Sequence, residues 1–325
     1  MAHVKIGLQF DLRNPEQFQR PINRVYDFAI EVCQEAERLG IDSVWFSEHH
    51  LFADGYLPRP LTMAAAVAAR TKTIRIGTAI LLGPLQPAAA LAEDAAIVDI
   101  LSNGRLELGL GAGYRVPEFD LYGANLKSRY STNDDRARQI RTMWSVDSPV
   151  TPKPVQSHIP IWMGYGGPQG ARRAGLLGEG LLTPKGEMWP HYKAGLEEAG
   201  HDLSIARMGG SIQGFVSDDP ERDWPVVREH VRHMFDTYKA AGVEGTDYPA
   251  PRPVDPERLL NKPESSSMSS FAYGTADVIA DHMKRTAADA PVDTMFLWAS
   301  IAGMSEEMVM RHVQTIANKL KPLLT

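Results

Sequence analysis

The chain has 325 residues, 43% of them hydrophobic and 23% charged, which is enough for one large α/β barrel or two modest domains. A net charge of −6 at pH 7 argues against nucleic acid or an anionic membrane surface as partner, and no apolar run is long enough to span a bilayer. The one cysteine, Cys33, rules out an intrachain disulfide and is expected in a core; with an N-terminus that enters a strand pattern without an apolar leader, this points to the cytoplasm.

Residues 4–10 form a β-branched, apolar run that stops at Asp11-Leu12-Arg13-Asn14-Pro15, a first strand. Over residues 23–39, Val25, Phe28, Ala29, Val32, Cys33, Ala36 and Leu39 recur at helical spacing, and Gly40 closes the helix. A second strand covers 43–48, and an Ala-rich helix 61–70. A third strand over 74–81 breaks at Gly83-Pro84. A second Ala-rich helix spans 88–101, and a fourth strand 105–111. After a loop come a charged helix at 132–144 and a strand at 160–165. A short helix at 169–177, a strand at 180–183 and a helix at 187–199 follow. The pattern ends with a strand at 208–216, a long helix at 220–241, a helix at 275–288, a strand at 293–300 and a helix at 305–320.

Eight strands, each followed by helix, imply a parallel sheet with right-handed crossovers. The predicted fold is therefore a closed (β/α)8 TIM barrel, one domain over residues 1–325. Residues 242–270 are rich in Pro, Ser, Asp and Glu and lack periodicity. They are expected to form a mobile insertion before the last strand, a candidate lid.

Such barrels bind ligands at the C-terminal ends of their strands. Here those ends carry unusual residues. The second strand ends in Glu48-His49-His50, either an acid/base group at the rim or histidines that merely bond a loop. The fourth ends in Gly111-Ala112-Gly113-Tyr114, where glycines let a flat ring lie against backbone or simply make a tight loop. The fifth runs Gly164-Tyr165-Gly166-Gly167-Pro168-Gln169-Gly170 into a helix, with Arg172 and Arg173 one turn on. That reads as a phosphate cradle or a tight turn. Glu179 comes too early for a dinucleotide fingerprint. The adjacent residues of Glu48-His49-His50 lack metal-site spacing, so no metal is expected. His230 and His233 share a highly charged helix and read as solvated surface. A pocket lined by Phe10, Trp45 or Phe46, Leu82, Tyr114, Trp189 and Trp298 suggests an apolar substrate such as an aldehyde, ketone or hydrocarbon.

These motifs resemble the bacterial luciferase-like flavin-dependent monooxygenases over nearly the whole chain. The likeness rests on Phe46-Ser47-Glu48-His49-His50, Ile76-Gly77-Thr78-Ala79-Ile80, Ala92-Glu93-Asp94, Leu101-Ser102-Asn103-Gly104-Arg105 and Tyr273-Gly274-Thr275-Ala276-Asp277. The resemblance implies a monooxygenase using reduced flavin mononucleotide (FMN) and O2 through a peroxyflavin, on a small apolar organic substrate. It implies a separate NAD(P)H-dependent flavin reductase as partner, and a homodimer formed through the Ala-rich helices at 61–70 and 88–101. It implies a cis peptide between Ala79 and Ile80. His49 would be the general acid/base, with His50 and Glu48 orienting it or binding substrate.

The sequence departs from bacterial luciferase where that protein holds the flavin phosphate with side chains. Ala112 stands at its arginine, and Gly166, Gly167 and Gly170 at its loop ligands. The expected flavin contacts are therefore Ala79, Ile80, Gly111, Ala112, Gly113, Tyr114, Gly164, Gly166, Gly167 and Gly170, mainly through backbone N–H groups, with help from Arg172 or Arg173. A branch of the same superfamily performs hydride transfer with a deazaflavin and no oxygen; the Glu-His-His triplet resembles the FMN branch more. A non-catalytic flavin-binding subunit is the third alternative, against which the retained triplet speaks.

Overall fold

A computed structural model describes residues 4–260 and 270–324. In chain order the elements are β1 (Lys5–Phe10), α1 (Ile22–Arg38), β2 (Ser43–Phe46), α2 (Pro60–Arg70), β3 (Arg75–Thr78), β4 (Leu81–Leu82), α3 (Ala88–Ser102), β5 (Leu106–Gly111), α4 (Val116–Tyr122), α5 (Arg129–Trp144) and β6 (Ile161–Gly164). They continue with α6 (Gly167–Leu177), β7 (Gly180–Leu181), α7 (Trp189–Glu198), β8 (Met208–Ile212), β9 (Gly214–Val216), α8 (Pro220–Val243), β10 (Ala272–Gly274), α9 (Ala276–Ala287), β11 (Val292–Trp298) and α10 (Glu306–Thr315).

Parallel pairing runs from β1 through β2, β3, β5, β6, β7, β8 and β11 and back to β1. The ring of eight closes, and the fold is the predicted TIM barrel. Strands such as β2 and β5 are buried along their whole length, as a parallel sheet covered by helices requires. The α1 stripe of Val25, Phe28, Ala29, Val32, Cys33 and Ala36 is buried as its spacing predicted.

The barrel interior is filled below the rim. Trp45 stacks on Phe296 with centroids 4.9 Å apart and meets Trp162 edge-on at 6.3 Å. Glycine makes room for the indoles: a Cβ on Gly77 would lie 2.2 Å from the Trp45 ring, and one on Gly180 2.7 Å from that of Trp162. Large and small residues thus interdigitate at native density, and Trp45 belongs to this plug rather than to a pocket. The large cleft lies at the C-terminal end of the strands.

Three features differ from the pattern read in the sequence. The strand expected over 74–81 ends at Thr78 and resumes as β4, and the Ala79–Ile80 peptide between them is cis. The strand expected over 208–216 divides at Gln213; β9 leaves the barrel and pairs with β10. The loop after β5 contains α4, which Gly123 closes in the left-handed region at φ 60°. The stretch expected to be an insertion follows α8 and precedes β10. The candidate lid falls partly on residues 261–269, outside the described residues. Among the described residues no helix is long and apolar enough to cross a membrane.

Candidate active site

β2 ends at Phe46, and Ser47 to His50 run buried across the rim. Two carboxylates pull the two histidines to different sides. His50 Nε2 bonds Glu48 Oε1 at 2.9 Å, while Glu48 Oε2 accepts the Leu82 N–H at 2.7 Å and anchors β4. The His50 ring packs on Tyr122 at 4.8 Å. Glu48 lines the cleft, whereas His50 lies behind it.

His49 lines the cleft, and its Nδ1 bonds Glu118 Oε1 at 2.8 Å. The same oxygen accepts the His50 backbone N–H at 2.8 Å, and the Arg115 guanidinium lies 3.5 Å away. Arg115 also donates to the His50 carbonyl and pairs with Glu244 at the end of α8. Burial pushes the Glu118 carboxyl up, but the bonds from His49 and the His50 N–H and the charge of Arg115 outweigh it and hold it below its ordinary value. An ionised Glu118 accepts only, so Nδ1 of His49 carries the proton and Nε2 is the nitrogen left to exchange one with a molecule in the cleft.

Four rings surround His49: Tyr56 at 4.9 Å, Phe52 at 5.1 Å, Tyr114 at 5.5 Å and Tyr238 at 5.8 Å. The Tyr56 and Tyr238 hydroxyls lie 2.8 Å apart. Beneath them the buried Arg13 guanidinium sits 5.2 Å from Phe52, 5.7 Å from Tyr56 and 5.6 Å from Tyr238. Arg13 pairs with Asp54 at 2.6 Å and donates to Thr237 of α8 at 2.6 Å. Burial raises the Tyr114 phenol to about 12 and also raises those of Tyr56 and Tyr238, so all three are neutral at pH 7.

The expectation that His230 and His233 form a solvated surface is corrected. α8 packs on the barrel, His230 is buried against the Ala302 carbonyl at 3.0 Å, and His233 bonds Asp54 at 2.9 Å. Most charges of the helix lie on its outer face, which total charge does not reveal.

The opposite wall is mostly main chain. The Ala79 carbonyl accepts from Gln9 Nε2 and Ser47 Oγ, each at 2.8 Å. The Ile80 side chain fills the space that side chains at two glycines would need: a Cβ on Gly111 would come within 2.7 Å of it and one on Gly164 within 2.2 Å. Ala79, Ile80, Gly111, Ala112, Gly113, Tyr114, Gly164 and Gly166 all line the cleft. Gly166 caps α6, and a Cβ there would meet nothing within 4 Å.

Gly167 and Gly170 are not among the residues that line the cleft. A Cβ on Gly170 would sit 2.6 Å from that of Tyr165, so this glycine serves helix packing, and Gly167, at φ +73°, makes the turn into α6. The expected help from arginine is also corrected. Arg172 pairs with Glu198 of α7, and Arg173 with Asp134 of α5 at 2.5 Å. Any anion at the α6 N-terminus meets backbone N–H groups without those guanidinium charges.

The cleft has a volume of about 900 Å³. Of the expected apolar lining, Leu82, Tyr114 and Trp298 are there. Phe10 and Phe46 instead stack on each other in the core at 5.5 Å, and Trp189 packs on Tyr192 at 6.0 Å. Sequence reasoning did not single out Glu118, Arg13, Tyr56 or Tyr238. For Glu118 a signal existed: Pro117-Glu118 after a glycine-rich strand end is a helix start with an acid in its first turn. Among the described residues no group of three or more His, Cys, Asp or Glu is placed to hold a metal ion.

A closed parallel barrel with a glycine-walled seat facing a carboxylate-backed histidine defines a barrel oxidoreductase. The chain matches the luciferase-like monooxygenase model over residues 8–294 and belongs to that family. The family includes FMN monooxygenases and oxidoreductases that use the deazaflavin F420, and this chain is an enzyme of it. An F420-dependent glucose-6-phosphate dehydrogenase of Amycolatopsis mediterranei (strain U-32) is 27% identical over 300 residues, covering 86% of this chain and 82% of the relative. The oxygenase component of a flavin-dependent trigonelline monooxygenase of Acinetobacter baylyi (strain ATCC 33305 / BD413 / ADP1) is 31% identical over 165 residues, 45% of this chain and 44% of the relative. Among solved structures, the monooxygenase RslO1 of Streptomyces bottropensis superposes with a TM-score of 0.76 at 20% identity, covering 98% of this chain and 99% of that one.

Proposed function

We propose that the protein is a monooxygenase that uses reduced FMN and O2 to oxidise a small organic molecule. The observation that carries this reading is the facing of two unlike walls across one cleft. One wall offers backbone and small residues from Ala79 to Gly166, and the other offers His49 backed by Glu118. The open space at Gly166 and the N–H groups of the α6 turn suit a phosphate, and the glycine strand ends suit a flat ring. When bound, reduced FMN supplies two electrons and the site of oxygen activation. His49 Nε2 holds or delivers a proton beside it, Glu118 keeps the imidazole in the required tautomer, and Glu48 fixes β4 through the Leu82 N–H. His50 orients the triplet from behind the cleft.

The reduced flavin comes from a separate NAD(P)H-dependent reductase. The enzyme is a homodimer through α2 and α3; Ile97, Ile100 and Leu101 of α3 stand 45%, 41% and 51% exposed and would be covered in it. A second reading, hydride transfer with the deazaflavin F420, is favoured by the F420-dependent relative that matches 86% of this chain. Titrating the protein with FMN and with F420, each oxidised and reduced under anaerobic conditions, separates the two. Tight, selective binding of reduced FMN, and loss of product without loss of flavin binding in His49→Ala, is the expected result. Preference for F420 removes oxygen from the reaction, and binding of neither refutes both readings.

A further inference from the structure

Glu244 caps the C-terminal end of α8, the helix whose Met234, Phe235, Tyr238 and Lys239 line the cleft. Its side chain is 52% exposed, yet it pairs with the guanidinium of Arg115, whose side chain is 2% exposed. The backbone is shaped for this contact. Gly245, the next residue, lies at φ +74°, and a Cβ there would come 3.0 Å from that of Val116, the first residue of α4. The end of α8 is thus pressed on the start of α4, next to Arg115.

Arg115 divides its donors. Nη1 serves the His50 carbonyl and lies 3.5 Å from Glu118 Oε1, Nη2 serves Glu244, and Nε has no partner. Glu118 is used as unevenly. Its Oε1 takes His49 Nδ1 and the His50 N–H, each at 2.8 Å, while its buried Oε2 has no partner. A guanidinium and a carboxylate this close favour two parallel bonds. Such a fork would give Oε2 a partner and draw the carboxylate away from His49. The guanidinium lies over the Phe52 ring at 4.5 Å, a stack that resists tilting but not rotation within the plane.

We infer that Glu244 is a positioning residue: by holding Arg115 Nη2 it keeps the guanidinium from forking onto Glu118, and so leaves Glu118 Oε1 to His49 Nδ1. The inference rests on His49 exchanging protons, as in the proposed function, and extends that role to the outer end of the helix that walls the cleft. The seating of α8 and the tautomer of His49 are then set together. Without Glu244, Nη2 and Nε of Arg115 both turn to the vacant side of Glu118, and His49 Nδ1 loses its acceptor.

The test compares Glu244→Ala, which frees Nη2, with Glu244→Gln, whose amide oxygen still accepts from it. Nitrogen-15 NMR of the whole chain, histidine-labelled, at pH 8 and without substrate, reads the tautomer of His49. In wild type and Glu244→Gln the Nδ1–H form should be in at least about tenfold excess, as a charge-assisted bond to Glu118 requires. In Glu244→Ala the two forms should come within about threefold of each other, with FMN affinity unchanged. An unchanged His49 in Glu244→Ala overturns the inference. An equal change in both variants traces the effect to the charge of Glu244 and overturns the positioning role as well. FMN titration on the same samples keeps the two ideas apart. Absence of flavin binding by wild type refutes the proposed function, whereas flavin binding with a wild-type tautomer in Glu244→Ala refutes only the role of Glu244.

Discussion

Glutamate 118 is the sharpest place to perturb the site. In Glu118→Gln, Oε1 can still accept from His49 Nδ1 and the His50 N–H. The amide group then replaces Oε2, a buried atom with no hydrogen-bond partner. An unpaired buried amide costs about 1–3 kcal/mol, and two charge-assisted bonds become neutral ones, each weaker by about 1 kcal/mol. A loss of stability of about 3–5 kcal/mol follows, visible as a lower urea midpoint. Glu118→Ala removes the acceptor altogether and frees the imidazole to exchange tautomers. Nitrogen-15 NMR of histidine-labelled protein at pH 8 reads this without substrate: wild type should show His49 protonated on Nδ1, and the alanine variant a mixture. Turnover should fall by about 10–100-fold, as for other outer partners that orient a working histidine, with flavin affinity retained. The sign with pH is fixed. The native Glu118 carboxyl titrates below its ordinary 4.5, so its stabilisation is full above that value and disappears as pH falls through the native one. The deficit of the glutamine variant should narrow accordingly in acid. An alanine variant with the wild-type tautomer and urea midpoint would refute the role given to Glu118.

Three further outcomes are expected. Burial raises the Asp11 carboxyl from 3.8 to about 6, so native protein holds this proton more tightly than the unfolded chain. The associated stability is present below 3.8 and lost as pH rises through 6. Asp11→Asn should therefore gain about 1–3 kcal/mol on wild type between pH 4 and pH 7 in urea titrations, and a pH-independent difference would contradict this. Gly164→Ala should displace Ile80, whose Cδ1 lies 2.2 Å from the new Cβ, and weaken FMN binding at least about tenfold. Ile80→Ala in the same chain should restore it, whereas failure of the double variant to recover would place the loss outside this contact. Leu101→Glu on α3 should convert a dimer to monomer by light scattering, with a monomeric wild type refuting the proposed interface.

The fold was legible because eight strand and helix patterns alternate, and each buries a face that composition marks. What was hidden depends on partners far along the chain. β9 and β10 are three residues each, too short to show a pattern, and exist because they pair with one another. α4 is seven residues long with Pro117 near its start, below the length at which periodicity speaks. His49 could be nominated from its strand end, but its partner Glu118 lies 69 positions away and meets it only in the folded barrel. Trp45 and Phe46 show a different limit. Alternation tells which side of a strand a residue faces, not how deep in the barrel it lies, so plug and pocket look alike in sequence. For Arg172 and Arg173 the helix phase decided: both turn to carboxylates on neighbouring helices.

The two walls of the cleft are written in different alphabets. The ring seat is spelled largely in main chain, so most side-chain changes around it leave it unaltered, and only a Cβ in the wrong place, as at Gly111 or Gly164, erases it. The facing wall is spelled in side chains, those of the His49 cluster and those of one helix. α8 is fastened to the barrel at His233, Thr237, Tyr238 and Glu244, while Met234, Phe235 and Lys239 between those fastenings line the cleft. Of the three, Met234 and Phe235 also belong to the core, so recognition and the seating of the helix are written in the same letters, and only Lys239 is free of that double duty.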